Sequence, residues 1–220
     1  MKNIKAIIFD AYGTLFDVNS AAEKCKNQIG NKWENFSNYW RTTQLEYTWL
    51  RSLMENHKDF WKITEDSLDK SMEAFQIDKK MKNELLDLYK ILSTYPEVKQ
   101  TLERLKVKKY KLAILSNGTP ALLNELVKSN NLQNLFDDIF SVEEVKIFKP
   151  SSIVYNIPVK KYKIRKQEIA FLSANTWDVS GGGNYGFTSI WVNRNKSIFD
   201  KLDFTPSKEI KKLNELLEII

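Results

Sequence analysis

The segment Ile4-Lys5-Ala6-Ile7-Ile8-Phe9-Asp10-Ala11-Tyr12-Gly13-Thr14-Leu15-Phe16 constrains the fold of this chain more than any other. A short apolar run without alternation is the pattern of a strand buried on both faces, as in a parallel sheet. It ends in Asp10 and a Gly-Thr turn, which puts Asp10 at the strand's carboxyl end, where open α/β sheets place their ligand crevice. Asp is a poor strand former and costly to bury without partners. A chemical role accounts for it, and so does a side chain that caps the following turn. The local sequence leaves both open.

The same pattern returns later in the chain. Lys111 to Leu115 is a second buried strand, ending in Ser116-Asn117-Gly118-Thr119, and Asp138 to Ser141 is a third. Ile169 to Leu172 opens onto Ser173-Ala174-Asn175-Thr176-Trp177-Asp178, and Ser189 to Val192 is the last strand. Helices are expected over Val98–Leu105 and Pro120–Ser129, the latter with proline in its first turn. A further helix starts at Ser151 and reaches about Tyr155, where Pro158 ends or kinks it. Gly181-Gly182-Gly183 reads as flexible, and Lys208–Ile219 as a closing helix. From about Ala21 to Leu92 there is helical periodicity and almost no strand signal. Trp33, Phe36, Trp40, Tyr47, Leu50 and Met54 form one stripe of a long helix, and Glu65–Phe75 and Met81–Leu92 are two more. The fold class is therefore α/β, a doubly wound parallel-sheet (Rossmann-like) core with an inserted helical cap. The core takes residues 1–16 and 96–220, the cap 17–95.

Composition removes several function classes. A chain of 220 residues, 42% hydrophobic and 28% charged, can bury a sizeable core. No apolar run has the length of a membrane span, and Asp10 interrupts the N-terminal apolar patch where a leader would continue. One cysteine, Cys25, excludes an internal disulfide and fits a reducing cytoplasm. A His-based relay would have to use the one histidine, His57, which stands in a polar loop, and with one Cys and one His a zinc site of the usual N/S ligands cannot be assembled. The net charge is +6. Two Lys-rich runs, 106–111 and 160–166, precede strand-like segments and read as solvated helix ends, so no nucleic-acid partner is expected. A mildly basic field does draw small anions.

Three strands ending in polar clusters at one sheet edge make a site: Asp10; Ser116 with Asn117; Ser173 with Asn175 and Asp178. Lys149 precedes a proline in a loop between them. On the long helix Arg41 shares a face with Leu45. Its guanidinium either snorkels to water or offers a fork to a carboxylate, and spacing does not decide between them.

These residues carry a resemblance. Phe9-Asp10-Ala11-Tyr12-Gly13-Thr14-Leu15-Phe16-Asp17-Val18 resembles the opening of the haloacid dehalogenase superfamily, in its L-2-haloacid dehalogenase branch. The likeness continues in Tyr39-Trp40-Arg41, Gln44 to Arg51, Leu115-Ser116-Asn117-Gly118, Phe148-Lys149-Pro150 and Ser173 to Asp178. The resemblance implies that Asp10 is a nucleophile with Thr14 and Ser116 as hydrogen-bonding partners. Lys149, Tyr155, Ser173, Asn175 and Asp178 match further active-site positions. Arg41 and Asn117 match halide contacts, and Leu45, Phe60 and Trp177 match walls of the substrate pocket. Thr42 departs from the branch, where a Gln is usual beside the Arg.

The phosphatases of that superfamily carry a second Asp two residues after the nucleophile and a Gly-Asp-x-x-x-Asp sequence for magnesium. This chain has Tyr12 and Ala174 at those places, which offer neither an efficient acid–base group nor a carboxylate ligand. The implied reaction uses no cofactor and no metal. A small 2-haloacid rests its carboxylate on the N–H groups of Ala11 and Tyr12 and on Ser116. Asp10, kept ionised by Lys149, displaces halide from C2 toward Arg41 and Asn117 and becomes an ester. Water activated by Asp178, placed by Ser173 and Asn175, then attacks the ester carbonyl. Another hydrolase of the superfamily, such as a phosphatase, and a non-catalytic binding protein on the same fold are the rival readings. A homodimer is compatible with the aromatic-rich cap helix.

Overall fold

The computed structural model describes residues 1 and 3–220. The opening apolar run forms β1 (Ala6–Phe9), buried along its whole length. Six α-helices separate β1 from the next strand, the first five being α1 (Ser20–Lys24), α2 (Lys26–Ile29), α3 (Trp33–Leu53), α4 (Phe60–Phe75) and α5 (Lys82–Lys90). The alternation that follows is α6 (Val98–Val107), β2 (Lys111–Ser116), α7 (Pro120–Ser129), β3 (Asp138–Ser141), α8 (Ser152–Tyr162), β4 (Ile169–Ser173), α9 (Thr176–Tyr185), β5 (Thr188–Val192), β6 (Lys208–Ile210) and α10 (Leu216–Ile219).

The six strands form one parallel sheet in the order β3-β2-β1-β4-β5-β6. Phe9 is level with Ile114 of β2 and Leu172 of β4. Asp10, Ser116 and Ser173 therefore leave the sheet at one edge, with β1 central. The Lys-rich runs close α6 and α8 and lead into β2 and β4. No helix among the described residues is long and apolar enough to cross a membrane.

Five expectations need correction. The closing segment is not one helix: Lys208–Ile210 pairs in parallel with β5, and only Leu216–Ile219 is α-helical. Of the two alternatives for Pro158, ending the helix is excluded: α8 runs past Tyr155 to Tyr162 with Val154, Tyr155, Ile157 and Pro158 all buried. That burial outweighs the lost backbone bond. The glycine triplet is not a flexible hinge but the middle of α9. A Cβ at Gly181 would come 2.5 Å from Tyr155 Oη, and one at Gly183 would enter the Phe204 ring, so close packing demands glycine there. Finally, Leu50 and Met54 are exposed. The buried face of α3 is Phe36, Ser37, Trp40, Thr43, Gln44 and Thr48, so its later half is polar, with Gln44 and Thr48 hydrogen-bonded. At the start of α4, Asp59 accepts from Lys62 N–H (2.8 Å), which begins that helix at Phe60 and not at Glu65.

Candidate active site

Asp10 leaves β1 with its N–H bonded to Leu172 O of β4 (2.8 Å) and is 5% exposed. Its Oδ2 accepts from Thr14 Oγ1 (2.9 Å) and Asn175 Nδ2 (2.9 Å), with Ser173 Oγ at 3.5 Å. Its Oδ1 faces Lys149 Nζ at 3.1 Å. These partners are all side chains, three of them from distant segments. The carboxylate is the hub of a cluster and not the cap of its own turn. Ala174 N–H donates to Thr14 Oγ1 (2.8 Å), which leaves the Thr14 proton for Asp10. The two loops are stitched together beneath the carboxylate.

Lys149 is 1% exposed and bridges Asp10 to Asp178, whose Oδ2 lies 3.0 Å from Nζ. Asp178, in the first turn of α9, also accepts from Tyr155 Oη (2.7 Å). Burial raises the Asp178 carboxyl to about 6, against the pull of Lys149, with Asp10 pushing the same way as burial. Burial and the Asp178 charge hold the Tyr155 hydroxyl well above the ordinary tyrosine range, so it serves as a donor. The arrangement sets two buried carboxylates on either side of one ammonium, and the Asp178 carboxyl is deprotonated above about pH 6.

The residues assigned to the other strand ends fall differently. Ser116 is buried, but its hydroxyl accepts from Gly118 N–H (3.1 Å) and is not a partner of Asp10. A serine two residues before a turn N–H is captured locally. Ser173 and Asn175, expected beside a water near Asp178, turn toward Asp10 itself. Asn117 Oδ1 accepts from Lys149 N–H (3.0 Å), which ties the β2 end to the lysine loop. His57 lies in the loop between α3 and α4, 3.1 Å from Glu143 and stacked on Phe148, and bonds none of these groups.

Arg41 does not simply snorkel. Its Nη1 donates to Gln44 Oε1 (2.9 Å) and its Nη2 reaches Tyr12 O (3.5 Å), so α3 holds the guanidinium above the loop that follows Asp10. With Gly13, Tyr95, Asn175, Trp177 and Arg194 it lines a cleft of about 320 Å³. Phe60 and Tyr12 are buried in contact, ring centroids 5.1 Å apart. Ala11 is buried, and its carbonyl accepts from the N–H of Leu15 (2.9 Å) and Phe16 (3.0 Å). Leu45 and Trp177 are half-buried, Trp177 edge-on to Trp49 at 5.4 Å. Thr42 is exposed. No group of three or more His, Cys, Asp or Glu side chains among the described residues is placed to hold a metal ion, and the space between Asp10 and Asp178 is taken by the ammonium of Lys149.

A buried Asp–Lys–Asp bridge at the carboxyl edge of a parallel sheet invites comparison with known hydrolases. The haloacid dehalogenase-like hydrolase family matches residues 4–186. The chain belongs to that family. Among relatives of this haloacid dehalogenase-like hydrolase is (S)-2-haloacid dehalogenase 1 of Pseudomonas sp. (strain CBS-3), 40% identical over 224 residues, covering all of this chain and 98% of that one. A dehalogenase of known structure superposes with a TM-score of 0.98 at 34% identity, covering 100% of this chain and 98% of the other. The L-2-haloacid dehalogenase of Xanthobacter autotrophicus, solved with chloropropionic acid covalently bound, superposes at 0.91 with 31% identity and 98% of each chain covered.

Sequence reasoning about this family member missed Gln44 and Arg194. Gln44 stands three residues after Arg41, on the same helix face, and that spacing was the available signal. Arg194 donates to Thr14 O (2.8 Å) and pairs with Glu97 (2.5 Å). Nothing local to it marks that role, because its partners lie 180 and 97 residues away.

Proposed function

We propose that this chain hydrolyses small (S)-2-haloacids to (R)-2-hydroxyacids with inversion at C2, through an ester on Asp10 and without a metal. The observation that carries the reading is the Asp10–Lys149–Asp178 bridge, which supplies a nucleophile and a second carboxylate at one sheet edge. Residues 1–16 and 96–220 act as the chemical core and 17–95 as a helical cap that excludes bulk water. The substrate carboxylate rests on the N–H groups of Ala11 and Tyr12 and on Ser116. Arg41 and Asn117 receive the halide, and Leu45, Phe60 and Trp177 bound the C2 substituent. Thr14, Ser173 and Asn175 hold Asp10. Tyr155 and Lys149 hold Asp178, which takes a proton from the second-step water. The protein works in the cytoplasm, where its one thiol, the buried Cys25, stays reduced. It pairs with a second copy, which the exposed Leu50, Leu53 and Met54 at the end of α3 support.

Halide release from chloro-, bromo- and fluoroacetate and from both enantiomers of 2-chloropropionate, with a chelator present, tests this directly. Release from the (S) enantiomer at full rate is expected. Magnesium-dependent turnover of a phosphate ester, with no halide from any substrate, would overturn it in favour of a phosphatase.

Two variants test the assigned roles. Asp178→Asn is expected to form the ester and not hydrolyse it, so mass spectrometry should find Asp10 heavier by the substrate less its halide. In wild type the acid limb of kcat should fall below about pH 6, because the base is present only above its raised value. A profile flat from about pH 5 to about pH 8, a span that crosses that limb, would exclude Asp178 as the base. Arg41→Lys keeps the charge and loses the fork, and kcat/KM should drop about 10²-fold, the cost of removing a preorganised donor. A Lys variant indistinguishable from wild type would return Arg41 to a surface role.

A further inference from the structure

Gln44 is 1% exposed, unusual for a long amide, and every polar atom of its side chain is engaged. Nε2 donates to Thr64 Oγ1 (2.7 Å) and lies 3.0 Å from Tyr89 Oη, while Oε1 accepts from Arg41 Nη1 (2.9 Å). The orientation of the amide is fixed by chemistry at both ends. Thr64 gives its own proton to Phe60 O (2.7 Å), so toward Gln44 it can only accept, and the atom facing it must be the NH2. Arg41 can only donate, so the atom facing it must be the carbonyl oxygen. Thr64 is 0% and Tyr89 3% exposed, so water does not compete for these bonds.

We propose that Gln44 is the positioning residue for Arg41: a one-way chain of hydrogen bonds from the Phe60 carbonyl through Thr64 and Gln44 sets the guanidinium that receives the departing halide. The proposal rests on the reading of Arg41 as the halide's receiver. With Nη1 committed to Gln44, the guanidinium cannot swing along α3, and its remaining N–H groups keep one direction. Such preorganisation acts on the step in which charge develops on the halogen, and matters most for the poorer leaving group. Chloride needs that help more than bromide. The neutral amide suits the task, because a Glu would satisfy Arg41 but cancel the charge offered to the anion. It would also set acceptor against acceptor at Thr64.

The test compares kcat/KM for (S)-2-chloropropionate and (S)-2-bromopropionate, a ratio that merely loosened structure would leave unchanged. Gln44→Met keeps the volume and removes both polar ends. It should lower the chloro value about 10- to 100-fold, the scale of a small misplacement at a reacting centre, and the bromo value clearly less. Thr64→Val frees the amide to flip and should shift the ratio in the same direction by a smaller factor; it carries the test alone where Gln44→Met does not fold. In an Arg41→Lys background, Gln44→Met should add little further loss, since the two act as one unit. Equal losses on both substrates, or full additivity with Arg41→Lys, would overturn the proposal while the role of Arg41 stands. An Arg41→Lys variant whose bromo-to-chloro ratio matches wild type would sink the reading of Arg41 itself, and this proposal with it.

Discussion

In heavy-oxygen water, with enzyme in excess over (S)-2-chloropropionate, the first turnover is expected to label the Asp10 carboxylate and release lactate that is largely unlabelled. The carboxylate attacks C2 opposite the halide, so C2 inverts once and the product keeps an oxygen from Asp10. Water then attacks the ester carbonyl, which belongs to Asp10, so the inversion survives and the water oxygen stays on the enzyme. Chirality cannot separate this route from direct attack by water at C2, which also inverts. The label separates them.

The two oxygens of Asp10 are held differently, and this suits the two steps. Oδ2 accepts from the neutral donors Thr14 and Asn175, with Ser173 just beyond, while Oδ1 has only the Lys149 ammonium. If Oδ1 forms the bond to C2, Oδ2 becomes the ester carbonyl oxygen. Its donors are then already aimed where negative charge appears as water adds. Heavy oxygen found in lactate at the first turnover, with none in the peptide holding Asp10, would make Asp10 a general base and end the covalent scheme.

The central part of this fold was legible because its signals are local. β1, β2 and β4 are continuous apolar runs that stop at polar residues, and a parallel sheet brings such ends to one edge. β6 was not legible. It has three residues, two of them exposed, and a charged edge strand has no apolar run to announce it. The glycine triplet misled because glycine signals either freedom or crowding, and only Tyr155 and Phe204 say which. At the site, Asp10, Ser173, Asn175 and Asp178 stood out as polar clusters at strand ends. Tyr155 was reached only through family resemblance, which also supplied the roles of Lys149 and Arg41 that position and spacing had left open. Ser116 was given the wrong partner, because a hydroxyl near a turn bonds the nearest N–H and no spacing rule predicts the alternative. Gln44 was passed over because a pattern of apolar residues is blind to a polar one buried with all its partners.

Replacing Lys149 by methionine is expected to remove about 10³-fold or more of the activity, the scale of losing a fixed charge at the reacting group. The side chain is 1% exposed with two carboxylates at 3.0 and 3.1 Å, and methionine keeps its bulk while deleting the ammonium that bridges them. Two buried carboxylates left facing each other cannot both ionise readily, and the pair holds back a proton. Whichever group keeps it, one role is lost: a protonated Asp10 does not attack, and a protonated Asp178 does not take a proton from water. Raising the pH forces both charges into an apolar gap and misplaces them, so no pH restores full rate. Stability carries the same signature with a defined sign. The unfolded carboxyls release their protons near pH 4, whereas the folded pair retains one above that, so the variant loses stability as pH rises from about 4 through its raised folded value. Against wild type its melting temperature should be nearly matched at pH 5 and clearly lower at pH 8, with a full penalty on the order of 3–5 kcal/mol for an uncompensated buried charge. A variant equally stable at both pH values and still turning over (S)-2-chloropropionate would mean that Lys149 is packing and that the two carboxylates act independently.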